Sequence, residues 1–227
     1  MSAAPARHLA GVGSSPVKVI PSRILSHLSE EGRVVIRCQI ADLPGTDANV
    51  AITRTSGRFE TVVYATEASP IAMPDTPPSY TIVQHAPQHV LATDRGTDPA
   101  TAEQWLTAVR TGETTPWTHD ADDFDHVKNW ILAHAPDGLF TSVTRRGVAI
   151  GLGGHAAGGG GAEAAMLTGN DLIASPRCST SVTRLHGLIA RWRRAGTPYT
   201  EQLPAALFRQ GHGWRVRLVL PRTETER

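Results

Sequence analysis

The chain has 227 residues, enough for one large or two small domains and for a core that needs no disulfide staples. Its 22 Lys+Arg against 21 Asp+Glu leave a formal charge of +1, which argues against nucleic acid as a partner, since counterion release needs clustered positive charge. With 21 Gly, 16 Pro and 5% aromatics, the composition is that of a loop-rich protein with modest apolar packing, and by itself it names no activity.

The N-terminal stretch, residues 1–16, is rich in Ala, Gly and Ser and reads as a flexible tail. It lacks the apolar segment of a secretory signal, and nowhere does the chain approach the ~18 apolar residues of a membrane span. No membrane partner is expected, and the expected location is cytoplasmic. Pro21–Leu28 then gives a short amphipathic helix with Pro21 near its first turn. Arg33–Ile40 is predicted as a strand, and within it Cys38 reads as a buried reduced thiol. The second cysteine, Cys178, makes neither a disulfide framework nor a zinc motif. Asn49–Thr55 and Phe59–Ala65 are two further strands, joined as an antiparallel hairpin by the tight turn Ser56-Gly57.

Pro70, Pro74, Pro77 and Pro78 make residues 66–80 an irregular connection. Thr81–Ala92 is another candidate strand, although the segment 76–96 as a whole reads as a linker. Thr101–Val109 has apolar residues at helical spacing, Thr111–Asp125 reads as a polar loop, and Phe124–His134 as a second helix ended by Pro136-Asp137-Gly138. Leu139–Thr144 and Val148–Leu152 are predicted as a hairpin. The glycine-rich run 153–161 is expected to be a surface loop, because glycine holds regular structure poorly. Ser181–Ala195 carries the stripe Val182, Leu185, Ile189 and Trp192, with Thr180 or Ser181 as cap and Gly196 as stop. Leu203–Phe208 is predicted as a shorter helix. Trp214–Leu220 alternates as a strand with Arg215 and Arg217 on its polar face, and is expected to pair with 139–152.

Several clusters invite chemical readings. Gly151-Leu152-Gly153-Gly154-His155 follows an apolar strand, but it runs on into more glycines rather than into the start of a helix, so a phosphate loop is not supported. His119–His126 holds four carboxylates and two histidines. It lacks the EF-hand pattern and reads as a solvated acidic loop that could serve as a weak cation site; no metal centre is assigned. Arg191–Arg194 could meet an acidic peptide or phosphate, or could simply be a solvated helix end. No hydrolase motif is present, so catalytic and cofactor-binding residues remain unassigned.

One stretch is more specific. Pro21-Ser22-Arg23-Ile24-Leu25-Ser26-His27-Leu28, Glu31-Gly32-Arg33-Val34-Val35-Ile36, Val50-Ala51-Ile52-Thr53-Arg54, Gly57-Arg58-Phe59 and Pro70-Ile71-Ala72-Met73 follow one another over about 55 residues. Their order and spacing resemble the C-terminal end of the catalytic domain of protein-L-isoaspartate O-methyltransferases, where a Gly-Gly-Arg-Leu-Val strand, a strand ending in Thr-Arg, a Gly-x-Phe turn and a closing Phe-Val-Pro-Met succeed one another. The departures are Glu31 for the first glycine, Arg37 near a usual proline, and Ser69-Pro70-Ile71-Ala72-Met73 for the closing phrase. Residues 185–198 and Trp214–Leu218 are similar to the final helix and strand of a C-terminal extension found in peptide-modifying relatives.

The resemblance implies an α/β fold. It implies a partial Rossmann-like methyltransferase sheet over 17–75, made of a closing helix and three strands, then the linker 76–96 and a smaller α+β extension over 97–227. It implies S-adenosylmethionine as cofactor and a peptide or protein as substrate. The family's strand–glycine loop–helix for that cofactor, and its substrate-side serine and threonine, would all precede Pro21. The expectation is therefore a truncated or split carboxyl O-methyltransferase that does not bind the cofactor alone. The alternative is a non-catalytic module, derived from such an enzyme, that recognises a peptide or docks onto a separate cofactor-binding subunit.

Overall fold

The computed structural model describes residues 16–64, 80–86, 89–117, 123–144, 147–156, 161–176 and 179–220. In chain order its first elements are β1 (Ile20–Pro21), α1 (Ser22–Ser26), β2 (Arg33–Gln39), β3 (Asp47–Thr55), β4 (Arg58–Tyr64), β5 (Tyr80–Ala86), β6 (His89–Asp94) and α2 (Pro99–Thr111). There follow β7 (Glu113–Pro116), α3 (Asp123–His134), β8 (Leu139–Thr144), β9 (Gly147–His155), β10 (Ala162–Thr168) and β11 (Asp171–Ser175). The last are α4 (Thr180–Arg194), a single 3-10 turn at Thr200–Gln202, β12 (Ala205–Gln210) and β13 (Gly213–Leu218). The chain is thus mixed α/β, and its described strands lie in antiparallel sheets. Contacts divide it into two units, residues 1–41, 46–66 and 199–227, and residues 42–45 and 67–198.

In the first unit β2, β3 and β4 form an up-and-down sheet. The connections 40–46 and Ser56-Gly57 are too short for the crossover of a dozen or more residues that a parallel pair requires. The expected helix and three strands are present, then, but no parallel ladder of the kind a Rossmann sheet is built on occurs among the described strands; the one parallel pairing is the isolated bridge Val17–Cys38. Ser56 and Gly57 both take positive φ, 51° and 74°, as a two-residue hairpin turn demands. Alternation sorts the residues: Val34, Ile36 and Cys38 face Ile52, Val50 and Ala48, and Val63 packs opposite Val50, all buried.

A second three-stranded sheet, in the order β1-β13-β12, completes this unit. It corrects two expectations. Residues 205–210 are a strand and not a helix, because Gly211-His212 turns the chain back and pairs Ala205–Gln210 with Gly213–Leu218 residue for residue. And β13 pairs with β1 and β12, not with 139–152. Arg215, placed on the polar face, is only 5% exposed.

The second unit is a seven-stranded antiparallel sheet in the order β5-β6-β8-β9-β10-β11-β7. The segment expected to be a linker supplies β5 and β6, and Thr114 and Thr115, expected in a loop, lie in the edge strand β7. The proline-rich residues 66–79 and the tail 1–15 lie outside the described residues. The β8–β9 hairpin occurs as predicted. One face of the sheet carries α2, whose Ala102, Trp105, Leu106 and Val109 are buried against Leu91, Phe140, Ala149, Ala164 and Met166. The opposite face carries α4, which in turn packs α3. Its stripe Val182, Leu185, Ile189 and Trp192 is buried as expected, together with Leu188. The cap, however, is Ser179, whose hydroxyl oxygen accepts from Val182 N at 3.1 Å.

α3 and α4 meet where Trp130 Nε1 donates to the Leu188 carbonyl at 3.2 Å. His134, its ring tilted 52° to the Trp130 ring with centroids 4.6 Å apart, donates from Nδ1 to the Trp130 carbonyl. Burial pulls its pKa below the ordinary 6.5, the Trp130 bond opposes this, and Arg191 adds to the lowering. A base with a depressed folded-state pKa contributes stability above its unfolded pKa and loses it as the pH falls through the folded value. Urea midpoints of the native chain should therefore fall more steeply from about pH 7.5 to about pH 5 than those of His134→Phe; parallel curves would refute the assignment.

Candidate functional site

The glycine run sits in the second unit, at the centre of the sheet. β9 continues through Gly153, Gly154 and His155, so this part of the expected loop is a strand, while residues 157–160 lie outside the described set. The reason is on the α2 side. A Cβ on Gly153 would lie 2.0 Å from the Trp105 ring, and one on Gly151 would lie 2.4 Å from Phe140 Cζ. Trp105 lies against the bare strand, its Nε1 donating to the Gly154 carbonyl at 3.2 Å. Glycine is needed here so that an indole can approach the backbone, not for phosphate.

Trp105 fills one end of the α2 interface, and the other end stays open. Beyond it a cavity of about 220 Å³ lies between the last turns of α2 and the sheet. Leu106 and Val109 of α2 and Met166 and Ile173 of the sheet make its apolar wall, and His89, Arg110 and Ser142 its polar part. The Ser142 hydroxyl donates to the Val90 carbonyl at 2.8 Å, so its proton is committed and its oxygen is left as an acceptor. Among the described residues Arg110 and His89 have no hydrogen bond or ion pair. A second depression, about 400 Å³ and open to solvent, lies across α2 near Gln104, Thr107 and Ser175 and contains no cation.

In the first unit Leu28, Glu31, Gly32, Arg54 and Gly57 meet at one junction. Glu31 takes a φ of 61°, the left-handed region that favours glycine. A Cβ on Gly32 would lie 2.7 Å from the Ser29 carbonyl oxygen. Glu31 N donates to the Arg54 carbonyl at 2.9 Å, and Arg54 N to the Gly32 carbonyl at 3.1 Å. Arg54 also donates from Nη1 to the Leu28 carbonyl, and the Glu30 carboxylate accepts from Gly57 N. Positions 31 and 32 thus both favour glycine, the first by its φ and the second by the closeness of Ser29. Glu31→Gly should raise stability by about 0.5–1 kcal/mol, the left-handed strain relieved less the entropy glycine adds to the unfolded chain. Glu31→Ala should give no gain, and equal urea midpoints for Glu31→Gly and the native chain would contradict the strain.

The remaining candidates have structural employment. Asp123 and Asp125 stand in the first turn of α3, where Asp125 pairs with the buried Lys128, while His119–Asp122 lie outside the described residues. No group of three or more His, Cys, Asp or Glu among the described residues could hold a metal ion. Arg191, Arg193 and Arg194 are exposed and donate to backbone carbonyls, as a solvated helix end does. Burial pushes the Cys38 thiol up to about 12, with the Arg215 guanidinium opposing and Asp47 adding, so at neutral pH it is a protonated core group. Glu163, 3% exposed, accepts from Thr180 N, Ser181 N and Ser181 Oγ at the start of α4.

No protein-family model, no curated protein and no solved structure matches the chain. No helix among the described residues is long and apolar enough to cross a membrane. Among the described residues the glycine-rich strand is covered by an indole, and no glycine loop leads from a strand into a helix N-terminus.

Proposed function

We propose that the chain is the peptide-recognising part of an isoaspartyl-type O-methyltransferase system and does not itself bind S-adenosylmethionine. The observation that carries this reading is the junction of Leu28, Glu31, Gly32, Arg54 and Gly57. Motif residues scattered through 28–57 meet there and hold the start of β2 against the end of β3. Such agreement between pattern and backbone demand supports descent from the family's closing segment. The antiparallel β2–β4 sheet is compatible with it, because antiparallel edges are common on otherwise parallel sheets.

On this reading the methyl donor is held by a second polypeptide, and this chain contributes substrate contacts. The misfit of the glycine strand to a nucleoside favours a second form of the reading, a catalytically empty relative that docks on a cofactor-binding subunit. Calorimetric titration of the purified chain with S-adenosylmethionine tests the core of the proposal. No binding is expected, and micromolar affinity would overturn it.

A further inference from the structure

We propose that the cavity beside α2 binds the C-terminal residue of a peptide, through its free carboxylate, its backbone N–H and an aliphatic side chain. The proposal rests on the reading of the chain as a peptide-recognising part and names the end of the peptide it takes.

The polar groups set the chemistry. Arg110 stands in the last turn of α2 without an anionic partner among the described residues, and its planar guanidinium matches a carboxylate with two parallel hydrogen bonds. His89, at the start of β6, adds a ring N–H donor on the sheet side. Ser142 has the opposite demand. Its hydroxyl proton points at the Val90 carbonyl, so its oxygen can only accept. A bare anion such as sulfate satisfies Arg110 and leaves that oxygen unmatched. A carboxylate one atom away from an N–H satisfies both, and that pairing is the terminal residue of a peptide.

The wall sets the side chain. Leu106, Val109, Met166 and Ile173 present carbon and sulfur to the cavity, and Met166 adapts to branched shapes. A volume of about 220 Å³ suits one residue and excludes a folded partner. The rest of the peptide would leave by the mouth of the cavity, where Arg110 is exposed.

The experiment compares N-acetyl-L-leucine with N-acetyl-L-leucinamide, titrated into the full chain and into Arg110→Gln and followed by calorimetry. Arg110 is exposed, so the variant should keep the native circular dichroism spectrum. The acid should bind the native chain at least 10-fold more tightly than the amide, and Arg110→Gln should erase that difference. Ser142→Ala should weaken both ligands alike. Equal binding of acid and amide, no binding of either, or an unchanged preference in Arg110→Gln would overturn the proposal. The S-adenosylmethionine titration is read separately: cofactor binding would overturn the broader function and leave the acid–amide comparison standing, while loss of the acid–amide preference alone would overturn only the assignment of this cavity.

Discussion

Gly153→Val is expected to destabilise the seven-stranded sheet by about 4 kcal/mol, close to the cost of deleting Trp105 itself, because the two changes remove the same contact. The Trp105 ring atoms Cδ2 and Cε2 lie 2.0 and 2.2 Å from where a Cβ would stand, so the whole indole must leave its site. With it goes the burial of a side chain that is 4% exposed, its tilted ring contact with Phe140 at 6.2 Å and its hydrogen bond to Gly154. Gly153→Ala forces the same movement with less bulk and should cost about 2–3 kcal/mol. Trp105→Ala should cost about 3–5 kcal/mol, leaving a cavity over Gly151 and Gly153. The decisive variant is the pair Trp105→Leu with Gly153→Ala. In contact residues the effects are not additive, and the methyl fills part of the space that the indole vacates. The double variant should thus be more stable than the sum of its parts by about 1–2 kcal/mol. Urea unfolding followed by far-ultraviolet circular dichroism measures all four. A Gly153→Val chain within about 1 kcal/mol of the native one would mean that the indole does not lie on this strand.

That contact also explains why the end of β9, residues 153–155, was opaque in the sequence. Locally, glycines 153 and 154 are poor strand formers, and no property of their neighbours signals an indole arriving from residue 105. Strand 205–210 was misread for a related reason. Ala-Ala-Leu favours helix in isolation, and pairing with β13 across the Gly211-His212 turn overrides that weak preference. The Gly-His-Gly segment at 211–213, between alternating residues, was the signal available. Elements governed by their own periodicity were legible: the α4 stripe and the β3–β4 hairpin with its Ser56-Gly57 turn both stand where the spacing puts them. The cavity was not legible at all. His89, Arg110 and Ser142 come from β6, α2 and β8 and share no motif, since only the antiparallel order β6-β8 and the passage of α2 over the sheet bring them together.

Glu163→Ala is expected to cost about 3 kcal/mol, a large loss for one carboxylate, because the helix start it serves is itself buried. The first amides of a helix have no partner within it. In α4 these are divided between two acceptors: Ser179 Oγ takes Val182 N, while Glu163, arriving from β10, takes Ser181 N at 2.8 Å and Thr180 N at 3.2 Å. A negative charge there also meets the positive end of the helix dipole. Removing the side chain leaves two donors unmatched beside Gly154, in a place where Ser179 and Ser181 are almost fully covered. Glu163→Gln separates the contributions. Its amide oxygen can still accept from Ser181 N, but its NH2 group then faces the Thr180 N–H, donor against donor. About half the loss of the alanine variant is therefore expected. Ser179→Ala removes one neutral bond and should cost about 1 kcal/mol. Urea denaturation followed by tryptophan fluorescence ranks the three, and an order in which Ser179→Ala exceeds Glu163→Ala would show that α4 is held at its start by its own cap and not by the sheet.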